Sequence, residues 1–137
     1  MDINYWAVIV SAVVSIIIGS LWYGPLFGKA FMKAMGMNEW SEEKKARMKK
    51  SMTMSYVLQA VASLVMFYVL ARFMIGMDQM SVQGGLTTAL WVWIGFVLPI
   101  HLGDAVWGGK WILFRINSGN MLVTLLVVGA ILGAWVQ

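Results

Sequence analysis

The sequence contains no cysteine, one histidine and only two prolines, and charged residues make up 12% of its 137 positions. Without cysteine there are no disulfides, thiolate metal sites or thiol nucleophiles. A single His rules out a His-rich metal cluster, and no Gly-rich phosphate loop opens a helix after a strand. No motif recommends Ser20 or Ser118 as the nucleophile of a Ser–His pair, so the chain reads as a non-enzyme without cofactor. What it has instead is apolar surface. At 61% hydrophobic, a chain of one-domain length has more than a single aqueous core can hide. Lipid is therefore the expected solvent, and the fold class is all-α: a polytopic membrane protein with four transmembrane helices plus a short interfacial amphipathic helix.

The spans are expected at about 5–23, 53–76, 82–104 and 119–136. Tyr5 to Tyr23 carries no charge over 19 residues, roughly 28 Å as a helix, enough to cross the hydrocarbon. Tyr5, Trp6, Trp22 and Tyr23 sit at its two ends like interfacial aromatics. Asp2 stands where a signal peptide would carry a basic residue, so this run is expected to remain as a span. Ala7, Ser11, Ser15 and Gly19 recur every four residues, a seam of small side chains for helix packing. Gly24-Pro25 is expected to end the span.

The loop 26–52 is basic. Lys29, Lys33, Lys44, Lys45, Arg47, Lys49 and Lys50 are seven of the ten Lys and Arg residues. Phe27, Phe31, Ala34 and Met35 share one helical face and Lys29 and Lys33 another, which predicts the interfacial helix. Ser41 can cap a further helix with Glu42 and Glu43 in its first turn and a Glu43–Arg47 pair. With no breaker before the next apolar run, that helix is expected to continue into the second span. Arg72 is expected to snorkel or to pair with Asp2 or Asp78.

Counting charges orients the chain. A cytoplasmic basic loop leaves nine basic residues inside and Arg72 outside, placing both termini outside. The expected location is the bacterial cytoplasmic (inner) membrane, N-out and C-out. The basic loop should meet anionic lipid headgroups rather than nucleic acid.

In the third span Trp91 and Trp93 are expected to pack between helices, and Pro99 to produce a kink by freeing the Gly95 carbonyl. The stretch Gly103–Gly119 admits three readings: interfacial, partly re-entrant, or the start of the last span at Trp111. Gly129 and Gly133 form a GxxxG pair beside Ala130 and Ala134. Small-residue seams on two spans predict a homo-oligomer, and a membrane-protein partner is the alternative occupant.

The stretch Gly19-Ser20-Leu21-Trp22-Tyr23-Gly24-Pro25-Leu26-Phe27-Gly28-Lys29, then Phe31, Met32 and Met35-Gly36, resembles the small bacterial membrane proteins of domain of unknown function 1761. Ile116-Asn117-Ser118-Gly119-Asn120 and Gly129-Ala130-Ile131-Leu132-Gly133 are similar to the same family, so the resemblance covers nearly the whole chain. It implies a four-span helical membrane protein and supplies no catalytic residues.

Three constellations carry possible chemistry. His101 and Asp104 lie at i,i+3, where a carboxylate can orient an imidazole as a proton relay, or else cap the helix end. Ser51, Ser55, Gln59 and Ser63 stripe the second span, and with Thr87 and His101 they are pathway candidates. Met74, Met77 and Met80 have thioether spacing suited to Cu(I), although methionine is more commonly a core filler. The function expected is a small homo-oligomeric channel or transporter for a small solute or ion; the alternative is a non-enzymatic accessory subunit docking a larger membrane complex.

Overall fold

The computed structural model describes residues 2–135. The chain is all helical, and no strand occurs among the described residues. Helix α1 (Tyr5–Leu21) runs into a π-helical turn (Trp22–Leu26), followed by α2 (Gly28–Met35), a 3₁₀ turn (Met37–Glu39) and α3 (Glu42–Lys50). Then come α4 (Met52–Gly76), α5 (Val82–Val92), a second π turn (Trp93–Val97), α6 (Leu98–Gly108) and α7 (Trp111–Ala134). Four helices are long and apolar enough to cross a membrane: Tyr5–Leu26, Met52–Gly76, Val82–Gly108 and Trp111–Ala134. The chain is a polytopic membrane protein.

Several boundaries differ from the sequence expectation. The first span does not stop at Gly24-Pro25; it absorbs them in the π turn, where the Phe27 N–H donates five residues back to the Trp22 carbonyl (2.9 Å). The third also continues to Gly108. Gly109 then takes a left-handed conformation (φ 72°) that L side chains rarely adopt, and this reverses the chain within two residues. The fourth helix therefore starts at Trp111, the last of the three readings of Gly103–Gly119, and not at 119; the expected end at 136 lies outside the described residues. The Ser41 hydroxyl caps α3 by accepting from the Lys44 N–H (3.1 Å), but α3 does not flow into α4. Ser51 leaves helical geometry (ψ 0°), its hydroxyl bonded back to the Met48 carbonyl (3.1 Å). Back-bonding of this kind bends helices.

The charged pairs also differ. Lys45–Glu42 (3.6 Å) is the one ion pair among the described residues, so neither Glu43–Arg47 nor an Arg72 pair with Asp2 or Asp78 forms. Arg72 is exposed, as a snorkelling side chain should be. Trp91 faces outward at 68% exposure, whereas Trp93 packs inward.

Helix α7 is the hub, touching α1, α2, α4, α5 and α6. Its tightest partner is α5. A Cβ on Gly85 would overlap the Gly129 carbonyl, and one on Gly133 would overlap the Ser81 carbonyl. The GxxxG pair thus meets a helix of the same chain. On α1, Ala7 and Ser11 are buried, and Ser15 bonds its own helix at the Ala12 carbonyl (2.7 Å). Gly19 has nothing within 4 Å of an added Cβ. Since the bundle itself occupies the close-packed seams, they no longer argue for self-association.

The packed core lies toward the ends opposite the basic segment. Ile3, Ala7 and Val8 meet Phe67, Leu70, Met74, Leu125, Val128 and Leu132 there. Asn4 ties the two chain ends together: its Oδ1 accepts from the Ala7 N–H and its Nδ2 donates to the Trp135 carbonyl, both at 3.3 Å. At the basic end, by contrast, α4 departs from its neighbours. It packs on α1, α5 and α7 without comparable packing on α6 or the second π turn, and Met52 to Gln59 are all exposed. The bundle is closed at one end and split at the other.

Candidate functional site

The split encloses a cavity of about 780 Å³, within the roughly 300–1,000 Å³ typical of small-molecule sites. Helix α1 and its π turn contribute Ser15, Gly19, Ser20 and Tyr23, and α4 contributes Tyr56, Gln59, Ser63 and Phe67. The third span supplies Phe96, Val97, Ile100 and His101, and α7 supplies Asn117, Asn120, Met121 and Thr124. Tyr56 lies about 6 Å along α4 from its start and Phe67 about 22 Å, from the 1.5 Å rise per residue. The cavity thus runs from near the basic end to about mid-span, where the core closes it.

Both π turns wall this cavity, and both begin with Trp-x-Gly. The Trp22 Nε1–H donates to the Ile116 carbonyl and the Trp93 Nε1–H to the Ser118 carbonyl, each at 2.9 Å. The two indoles grip α7 from two sides, just where Asn117 and Asn120 project. The Tyr23 hydroxyl donates to Asn117 Oδ1 (2.6 Å), and the Trp22 ring covers Gly119 so closely that a Cβ would sit 3.0 Å from it. A helix stretch carrying Asn117, Ser118 and Asn120 within four residues is tolerable in a membrane because these partners lie inside the bundle. Trp22→Phe and Trp93→Phe are each expected to lower stability by about 1 kcal/mol through one lost hydrogen bond, read from thermal melts in detergent.

Of the pathway candidates, Gln59, Ser63 and His101 face the cavity, and Gln59 Nε2 reaches the Ser63 hydroxyl at 3.5 Å. Ser55 and Thr87 do not line it: both are exposed and bond their own helix, at the Ser51 carbonyl (3.1 Å) and the Gln83 carbonyl (2.9 Å). Asp104 lines a smaller adjoining cavity of about 200 Å³ with Lys110, Phe114 and Asn117, and His101 borders both spaces. His101 and Asp104 are neighbours on one helix without an ion pair between them. The methionine triplet does not converge, because Met74 is fully buried while Met77 is exposed. No group of three His, Cys, Asp or Glu residues that could hold a metal occurs among the described residues.

Tyr23, Asn117, Asn120 and Thr124 escaped the sequence reading. Their signal was present, since Asn117, Asn120 and Thr124 follow i, i+3, i+7 spacing on one face. Starting the last span at 119 cut that face in two. Asn120 Oδ1 and Thr124 Oγ1 are buried with no hydrogen-bond partner.

A family model described as Protein of unknown function (DUF1761) matches residues 6–133. The chain belongs to this family. The match spans every cavity-lining residue, so the cavity lies wholly within the family's domain. No curated protein and no solved structure matches the chain.

Proposed function

We propose that this family member is a carrier-type transporter of the bacterial cytoplasmic membrane, with the cavity as its substrate site. One observation carries the reading: a largely apolar cavity into which hydroxyls, amides and an imidazole project opens at one end of the bundle and is closed at the other by Phe67, Leu70, Met74, Leu125 and Val128. Hydroxyls, amides and an imidazole turned toward a space at mid-span are costly in a membrane and mark a pathway more often than a packing surface. The closed half favours a carrier over an open channel, which would need a continuous wet path.

The positive-inside rule puts Lys29, Lys33, Lys44, Lys45, Arg47, Lys49, Lys50, Lys110 and Arg115 in the cytoplasm, so the cavity opens in the inner half. The seven basic side chains of the α2–α3 segment are all exposed. Anionic headgroups there contribute about 1 kcal/mol per charge. The reading includes no covalent step, because the lining holds one imidazole and no carboxylate.

Because the chain has no native cysteine, single Gln59→Cys, Ser63→Cys and His101→Cys variants report access directly. A membrane-impermeant thiol reagent is expected to label all three from the cytoplasmic side and none from outside. If all three stay silent from both sides, the cavity is dry and the carrier reading is wrong.

A further inference from the structure

We propose that the cavity binds an uncharged, hydroxyl-headed amphiphile that enters from the bilayer between α4 and α6. As a statement about cargo this rests on the carrier reading, but the site itself stands on separate observations.

The first is charge. No Asp, Glu, Lys or Arg lines the cavity, and His101 is the one basic group there. An ion drawn to mid-span would lose its hydration without meeting a fixed counter-charge, and that desolvation penalty selects against it. A phosphate-headed lipid fails for the same reason.

The second is unmet hydrogen bonding. Thr124 is only 4% exposed, lines the cavity, and its hydroxyl has no partner. Asn120, one turn earlier on α7, has an unpartnered Oδ1. Buried polar atoms are almost always paired in native proteins; of the three orphans among the described residues, Ser11 lies in the packed core away from the cavity, whereas the two on α7 lie beside it, where a ligand can supply the partner. Asn120 Oδ1 needs a donor, and the Thr124 O–H can donate as well as accept. An alcohol complements both, its O–H donating to Asn120 while its oxygen accepts from Thr124.

The third is the mouth. Tyr56, Phe96 and Ile100 line the cavity yet remain 59%, 62% and 67% exposed. They frame the side of the bundle where α4 lacks packing on α6 and the second π turn comparable to its packing on α5. A freely soluble polar solute would gain little from such a rim, whereas an acyl or isoprenoid chain would lie along it. Thr124 sits about 20 Å along α7 from Trp111. The polar end of the ligand would therefore lie deep and its apolar body toward the mouth.

The test uses the full chain in lipid nanodiscs with a monoacylglycerol carrying a diazirine and an alkyne on its acyl chain. Photolabelling is expected on the peptides holding Tyr56 and Phe96–Ile100. It should be competed by plain monoacylglycerol, but not by the matching fatty acid or by free glycerol. Thr124→Val should weaken labelling about five- to tenfold, the loss of one hydrogen bond. That variant also removes a buried orphan, so it should melt no lower than the parent, which separates lost binding from lost folding. Ile100→Trp blocks the mouth from an exposed position and should abolish labelling.

Labelling indifferent to both variants would mean ordinary annular lipid and would overturn the proposal. Competition by free glycerol would overturn bilayer entry, and equal competition by the fatty acid would overturn the selection against charge. Labelling as expected, with the cavity cysteines silent from both faces in water, would leave this site standing and remove the carrier reading alone.

Discussion

Gly85→Ala is expected to cost several kcal/mol or abolish folding, while Gly95→Ala, on the same transmembrane segment, is expected to be neutral or slightly stabilising. In isolation the same methyl group favours a helix by about 0.5–1 kcal/mol. At Gly95 an added Cβ meets nothing within 4 Å, so the intrinsic gain should survive. At Gly85 the Cβ would overlap the Gly129 carbonyl, and a Cβ at Gly129 would overlap the Gly85 carbonyl and come within 3.1 Å of the Ala89 Cβ. Neither backbone can move alone, because Gly133 is pinned against the Ser81 carbonyl one turn further along. Ser81 in turn caps α5 by accepting from the Gly84 N–H (2.9 Å). Overpacking side chains against side chains typically costs about 1–3 kcal/mol; here two backbones must separate, which also breaks the neighbouring Leu125 and Val128 packing. Gly85→Ala and Gly129→Ala disrupt one contact, so the double variant should fall well short of the sum. Unfolding in a graded detergent series would show it. Equal stabilities for the Gly85 and Gly95 variants would mean that the α5–α7 seam is not a backbone contact.

The membrane-spanning character was legible because transfer into lipid is a sum over local residues. Tyr5 to Tyr23 declares itself without reference to any other part of the chain. Gly129 and Gly133 were legible as a close contact for a similar reason, since only small side chains allow one. Their partner was not. Gly85 lies 44 positions earlier, in a segment whose Gly-Gly pair reads equally well as a flexible start to a helix. The apparent surplus of seams came from that missing pairing, so the seams bear on self-association neither way.

The same division holds at the site. Gln59 and Ser63 were legible as a costly polar stripe. Ser55 had the same credentials on the same face, but there α4 has already left the bundle. Nothing in a single segment records where two helices diverge. Trp22 and Trp93 illustrate the reverse case: as interfacial or packing aromatics they were unremarkable, yet their indole N–H groups reach α7 carbonyls two residues apart. That convergence is visible only once the first and third spans are placed around the fourth.

Truncating the cavity floor should have the second large effect. Phe67 is 2% exposed and belongs at once to the cavity lining and to the core cluster with Leu70, Leu125 and Val128. Phe67→Ala is expected to cost about 3–5 kcal/mol, the usual penalty for an emptied aromatic site. It should also lengthen the cavity toward the closed end. Leu70, one turn further along α4 and likewise 2% exposed, reports that change. Leu70→Cys should be silent to an impermeant thiol reagent from either side in the parent and reactive from the cytoplasmic side beside Phe67→Ala. Phe67→Leu, which refills most of the volume, should restore silence and much of the stability. The combination separates a floor from a mere packing position. A truncated core that collapses would lose stability without exposing position 70, whereas a floor that opens would do both. Reactivity of Leu70→Cys in the parent would mean the outer half is already wet, and the closed end on which the carrier reading depends would be lost.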